Sequence, residues 1–298
     1  MRAYLTGGHG FVGQWLCRHL ETFGDTVVAP DESVDITDKG AISKALISAE
    51  PEVIFHLAAL SHVGESWAEP GEVFRVNAEG TLNVVQASLE LKNKPRVIVV
   101  SSAEVYGIVS PSDLPLHENS ETRPVTPYAG SKLAAEVAAL QAFRGSGADV
   151  VVVRPFNHVG PMQSERFVVS ALAKRIVEAV KSGASEIKVG NLDSRRDYTD
   201  VRDVVRAYRL LAKEGQPGEI YNICSGFDRS VREVADVYLG LAQKDIKLVK
   251  DESLTRNADV PVLRGDNAKV RQAVGWQPEI VFEDTLRDTF DYWLNAQA

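Results

Sequence analysis

The sequence predicts an α/β fold, in which a doubly wound parallel sheet carries helices on both faces and a smaller α/β lobe completes the C-terminal half. Two observations predict it. Strand-like runs at Ala3 to Leu5, Thr26 to Ala29, Val53 to His56, Val97 to Val100 and Val150 to Val153 alternate with helix-like runs. That alternation calls for parallel strands joined by crossover helices. At 298 residues, the chain is also longer than one simple domain needs. We expect one domain over residues 1–158, with a returning segment near 200–226, and a second over residues 159–199 and 227–298.

Taken in order, the first strand runs into Thr6-Gly7-Gly8-His9-Gly10-Phe11-Val12-Gly13, and Phe11, Trp15, Leu16 and Leu20 then recur at helical spacing. Glycines suit a tight turn, close approach of the backbone to a pyrophosphate and close helix–strand packing, while a helix N-terminus favours an anion. With a strand before and an amphipathic helix after, Gly7, Gly10, Phe11, Val12 and Gly13 read as a dinucleotide site rather than a plain connecting turn.

The second strand ends at Pro30-Asp31, where an acid can hydrogen-bond a ribose 2′-hydroxyl. Asp31 therefore favours NAD(H), a solvated turn being its other reading. No arginine stands between His19 and Phe74 to hold a 2′-phosphate, although His9 and Lys39 leave NADP(H) open. The fourth strand runs into Ser101-Ser102-Ala103-Glu104-Val105-Tyr106-Gly107, so Ser102 falls at a strand's C-terminal end, where open α/β sheets bind ligands. Ile108 to Pro127, rich in Pro, Ser and acids, is a long loop that edges a cleft or is an inert excursion. Tyr128 and Lys132 follow on a helix, four residues apart and on one face. That spacing also arises by chance, but beside a nucleotide loop it suits acid–base chemistry, with the ammonium lowering the phenol's pKa. The helices expected over Asn77 to Leu91 and Tyr128 to Phe143 are apolar on more than one side, which suits core burial or a subunit contact, and we expect a homodimer through them.

Net charge is −8 with dispersed acids, which argues against nucleic acid or an anionic membrane as partner. Cys17 and Cys224 are the only cysteines, both in segments that read as buried, so neither a disulfide framework nor a metal site is expected. A reducing cytoplasm fits, and no leader or apolar run of spanning length is read.

The glycine loop, His56-Leu57-Ala58-Ala59, Asn77 with Gly80-Thr81, the Ser102 strand, Tyr128 with Lys132, and Arg154-Pro155-Phe156-Asn157 together resemble the extended short-chain dehydrogenase/reductase superfamily, whose members act on nucleotide sugars. In the C-terminal half, Phe156 to Ser164, Lys188-Val189-Gly190-Asn191-Leu192-Asp193, Arg195 to Asp203 and Tyr221 to Gly226 are similar to the GDP-4-keto-6-deoxy-D-mannose reductases, with the GDP-mannose 4,6-dehydratases as near relatives.

The resemblance implies a Rossmann-type cofactor domain and NAD(P)H-dependent reduction of a GDP-linked 4-keto-6-deoxy sugar. Ser102 would hold the C4 oxygen, Tyr128 would pass it a proton, and Lys132 would bind the nicotinamide ribose. The cofactor's further contacts would be Asp35 and Ile36 near the adenine, Leu57, Ala58, Ala59 and Asn77 along the pyrophosphate and ribose, and Pro155 and His158. Asn157, Lys174, Arg196 and Arg256 would contact the substrate. Glu104 keeps the dehydratase reading alive, since a dehydratase uses a glutamate two positions after Ser/Thr to take the C5 proton. The dehydratase's Gln-Asp is absent from His9-Gly10-Phe11, which favours reductase over dehydratase or epimerase. A non-catalytic NAD(P) sensor would have lost Ser102, Tyr128 or Lys132, and all three are present.

Overall fold

The computed structural model describes residues 1–31, 33–254 and 260–296. In chain order its elements are β1 (Arg2–Thr6), α1 (Phe11–Thr22), β2 (Thr26–Val28), α2 (Lys39–Ala49), β3 (Val53–His56), α3 (Pro70–Phe74), α4 (Gly80–Leu89), β4 (Arg96–Val100), α5 (Pro127–Ser146), β5 (Val150–Pro155) and β6 (Asn157–Val159). The second half adds α6 (Val168–Ser182), β7 (Glu186–Val189), β8 (Arg195–Asp200), α7 (Val201–Glu214), β9 (Ile220–Ile223), β10 (Asp228–Ser230), α8 (Val231–Ala242), β11 (Lys247–Lys250), β12 (Val262–Leu263), α9 (Ala268–Val274) and α10 (Phe282–Ala296).

The main sheet has six parallel strands in the order β2-β1-β3-β4-β5-β9. One crossover from β1 runs to β2 and the next strand returns to β1's other side, so the strand order switches between β1 and β3. Ligands of such sheets bind beyond the strands' carboxyl ends at that switch. The buried strands are continuous apolar runs because both faces are covered. Leu5, Phe55, Ile98 and Val151 face α1 and α7, while Tyr4, Ile54, Val97 and Val152 face α2, α4 and α5.

A second sheet orders β10-β8-β12, with β6 paired in parallel to β8. A third core lies among α6, α8, α10 and the β7–β11 ribbon. Its helices carry local start signals: Ser230 and Glu233 form a reciprocal capping box at α8. Among the described residues, no helix is long and apolar enough to cross a membrane, and no group of three or more His, Cys, Asp or Glu is placed to hold a metal ion.

Several elements differ from expectation. The helix expected from Asn77 begins earlier, at Pro70, and passes through a π turn over Arg75–Glu79 before α4. Proline suits a first helical position. Asn77 in the widened turn is buried and bonded to Leu60 and Ser131. Ser102 lies just past the end of β4, where the sequence placed it, and there caps a single 3₁₀ turn over Ala103–Tyr106. Cys224 is buried as expected, whereas Cys17 is only half-buried.

The long loop after Tyr106 is pinned, not loose. The Asn222 amide donates to Glu118 (2.8 Å), and Leu116 bridges to Gly265. It opens at Gly107, whose φ of 68° belongs to the left-handed region, and a Cβ there would lie 1.8 Å from the Arg123 carbonyl oxygen. Gly107→Ala is expected to lower unfolding free energy by ~2 kcal/mol or more, measured by denaturant titration.

Candidate active site

The glycine loop meets the switch point by backbone contact. Gly7 has φ 72°, and a Cβ on it would stand 2.7 Å from the Ala58 nitrogen at the end of β3. A Cβ on Gly13 would lie 2.3 Å from the Gly7 carbonyl. Helix α1 starts at Phe11 with no side-chain cap at Gly10, so its first N–H groups face outward with a positive helix end behind them. A cradle of this shape fits a diphosphate. Beside it, Phe11 stacks on His158 with ring centroids 6.1 Å apart, and Pro155 ends β5.

Beneath the cradle a closed polar chain ties the strand ends to the helices. Thr81 Oγ1 donates to the Asn77 carbonyl (2.6 Å), which leaves it to accept from His56 Nε2 (2.9 Å). His56 Nδ1 therefore accepts from Thr6 Oγ1 (2.8 Å), which itself accepts from the Ala58 amide (3.3 Å). Burial lowers the imidazole's pKa to about 3, so it stays neutral. Asn77 extends the chain, accepting from the Leu60 amide (2.8 Å) and donating to Ser131 (2.9 Å), whose hydroxyl donates to the Tyr128 carbonyl (2.7 Å).

Thr126 caps α5 by accepting from Ala129 (3.1 Å), with Pro127 at its first turn, and this start points Tyr128 and Lys132 at the end of β4. Both are buried. Lys132 Nζ donates to the Val100 carbonyl (2.7 Å). Ser102 Oγ accepts from the Glu104 amide (3.2 Å), which leaves its hydroxyl proton free to donate, and the side chain lies near enough to Tyr128 to favour its phenolate. Glu104 is half-buried and acts electrostatically on the phenol. The structure thus brings Ser102, Glu104, Tyr128 and Lys132 together.

The protonation states differ from the spacing argument. Burial pushes the Tyr128 phenol up to about 12, with Ser102 pulling it down and Glu104 pushing it up. Burial also lowers Lys132 to about 8, against the pull of Glu136. The helical spacing predicts a phenol acidified by Lys132; in the folded chain burial is the largest influence on the phenol, which holds its proton at neutral pH.

Asp31 and Asp35 lie exposed on the loop after β2. Asp31 accepts from the Ser33 amide (3.0 Å), and Asp35 from the Thr37 amide and hydroxyl (both 2.8 Å). Ile36 is buried under Gly80. Arg75, one residue beyond the interval without arginine, donates to Thr37 Oγ1 (2.7 Å) and forks onto Glu72.

On the opposite side, Asn157 and Arg196 sit on the neighbouring strands β6 and β8. Arg196 Nη1 donates to the Val260 carbonyl (2.6 Å). Beside it, Asp197 is buried and accepts from Ser225 N, Ser225 Oγ, Gly226 N and Gly265 N at 2.6–3.2 Å, holding β8 to two loops. Burial raises this carboxyl to about 6 despite those bonds. Lys174 pairs with Glu165 and lies over the Trp293 ring. Arg256 lies outside the described residues.

Residues 31–289 match the family described as GDP-mannose 4,6 dehydratase. The chain belongs to that family. Within the extended short-chain dehydrogenases/reductases, it is 35% identical to GDP-6-deoxy-D-mannose reductase of Pseudomonas aeruginosa over 98% of this chain and 97% of that one. It is 33% identical to GDP-6-deoxy-D-talose 4-dehydrogenase of Aggregatibacter actinomycetemcomitans over 92% of each. The structure of RMD from Pseudomonas aeruginosa complexed with NADPH superposes with a TM-score of 0.91 at 34% identity, covering 99% of this chain and 100% of that one. The family and the Rossmann-type fold expected from sequence are therefore those found.

Sequence reasoning missed Glu136, which stands one turn beyond Lys132 on α5, and the Thr6–His56–Thr81 chain. The spacing of Tyr128, Lys132 and Glu136 was the available signal for the first; the second joins residues 50 and 25 apart and leaves no local pattern. Gly13→Ala is expected to weaken binding of a nicotinamide dinucleotide at least ~10-fold in a fluorescence titration, with the unfolding midpoint changed less than by Gly107→Ala.

Proposed function

We propose that this chain reduces the 4-keto group of a GDP-4-keto-6-deoxy-hexose with NADPH or NADH. The observation that carries the reading is a buried, protonated Tyr128 near Ser102 beside a glycine cradle, in a chain similar to a GDP-6-deoxy-D-mannose reductase and a GDP-6-deoxy-D-talose 4-dehydrogenase. Bound NAD(P)H would supply hydride to C4. Ser102 donates a hydrogen bond to the ketone oxygen, polarising it. Tyr128 gives the same oxygen its proton, so the ketone becomes an alcohol. Lys132, an ammonium below about pH 8, offsets the charge left on the phenolate.

Gly7, Gly10, Phe11, Val12 and Gly13 hold the diphosphate in this reading, with Leu57, Ala58, Ala59 and Asn77 along the nearer ribose, and Asp31, Asp35 and Ile36 toward the adenine end. Pro155 and His158 flank the nicotinamide. Asp31 favours NADH, whereas the P. aeruginosa relative is complexed with NADPH, so both cofactors belong in the assay. Asn157, Arg196 and Arg256 take the sugar nucleotide, and guanidinium forks suit its diphosphate. Residues 1–158 with 200–226 then form the cofactor domain, and 159–199 with 227–298 the substrate domain. Exposed Leu82 on α4 and Val137 on α5 support a homodimer through those helices.

A dehydratase is the second reading, favoured by Glu104 beside Tyr128 and by the family's name. The two reactions separate by cofactor balance. Incubated with GDP-mannose in heavy water, the protein is expected to form no 4-keto product and to incorporate no C5 deuterium. With GDP-4-keto-6-deoxy-mannose it is expected to oxidise one NAD(P)H per sugar reduced. A 4-keto product from GDP-mannose would make Glu104 the C5 base instead.

Tyr128→Phe removes the proton donor while keeping the ring. We expect kcat to fall ~10³-fold with NADPH affinity nearly unchanged, measured by steady-state kinetics beside fluorescence binding. Near-wild-type turnover would remove Tyr128 from the mechanism.

A further inference from the structure

We infer that Glu136, paired with Arg154, is a positioning residue that seats the Ser102–Tyr128–Lys132 group on the end of β4, a role that rests on the functional reading above. The inner face of α5 presents Tyr128, Lys132 and Glu136 at successive turns, and each meets one of three successive residues past or ending β4. Lys132 donates to the Val100 carbonyl, Ser101 Oγ donates to Glu136, and Ser102 lies beside Tyr128. Glu136 is 2% exposed, and Arg154 takes both its oxygens at 2.9 and 2.7 Å. The same guanidinium reaches Tyr106 Oη (3.0 Å) and the Glu118 carbonyl (3.2 Å), and Tyr106 donates to Asn222 (2.7 Å). One buried carboxylate thus joins the helix to β4, the turn after it, β5 and β9.

A buried ion pair is a weak source of stability, because two charges lose their water to make it. This one does something an apolar pair could not: it fixes the strand end in register with the helix and sets a negative charge one turn from Lys132. Among the described residues, the charged and titratable groups around the Tyr128–Lys132 pair include Glu136 on the same helix, His56 from β3, Glu104 from the turn after β4, Arg154 from β5 and Tyr208 from α7. His56 is neutral and Glu104 bears on the phenol, so Glu136 is the carboxylate that favours the ammonium.

The test follows NADPH affinity by fluorescence across the alkaline range, together with kcat and KM for the 4-keto sugar. Glu136→Gln keeps the shape, removes the charge and leaves Arg154 unpaired, and both changes favour loss of the Lys132 proton. The alkaline midpoint of NADPH binding is expected to move down by about one pH unit or more. We expect kcat to drop at least ~10-fold at little change in KM. Glu136→Asp, which keeps the charge, is expected to restore the midpoint. A wild-type protein with no alkaline midpoint, or a folded, NADPH-binding Glu136→Gln with the wild-type midpoint, overturns the inference. Should Glu136→Gln fail to fold, Ser101→Ala decides: it is expected to lower kcat with NADPH binding unchanged, and wild-type turnover overturns the positioning role. The NADPH arm needs no sugar, so a wild-type chain that binds NADPH but leaves the 4-keto sugar untouched defeats the functional reading alone.

Discussion

The seating of α5's polar edge on the end of β4 is the constraint on which the rest of this molecule depends. A strand buried on both faces normally ends in backbone groups that need partners. Here Lys132 satisfies the Val100 carbonyl, and Glu136 holds the next residue's hydroxyl. The hydroxyls of Ser102 and Tyr128 are then neighbours as a consequence of how the strand end is satisfied. Burial follows from the same contact, and burial keeps the phenol protonated and brings the ammonium within reach of neutral pH.

The cofactor side is built on a different principle, close approach of backbone. Gly7 against Ala58 and Gly13 against Gly7 leave no room for side chains, so peptide groups themselves line the cradle. Beneath them the neutral His56 works as a two-ended crosslink between Thr6 and Thr81, with every donor and acceptor in that chain assigned. The two halves of the site are coupled through Asn77 and Ser131, which reach the Tyr128 carbonyl.

The family shares one scaffold among reductases and dehydratases, and the scaffold does not choose the reaction. What chooses is whether a carboxylate takes a carbon-bound proton or merely neighbours the phenol. Glu104 is close enough to act on Tyr128, which is why reductase and dehydratase differ by cofactor balance rather than by the presence of any one residue.

The parallel sheet, the glycine loop and the Ser102, Tyr128 and Lys132 group were legible in the sequence because each depends on local order: an apolar run, a turn needing glycine, a strand end, a helical turn. The helix starting at Pro70 was not, since its π turn is stabilised by Leu60 and Ser131 from elsewhere in the chain. Arg75 escaped a scan along the chain because it folds back onto Thr37, 38 residues earlier. Spacing reports that Tyr128 and Lys132 are near each other, whereas the phenol's resting protonation state depends on how much water the fold removes. The sequence by itself singled out Ser102, Tyr128 and Lys132 and the elements that carry them. Only the tertiary structure decided their charge states and the Glu136–Arg154 anchor, since desolvation and pairing across strands are properties of the packed core.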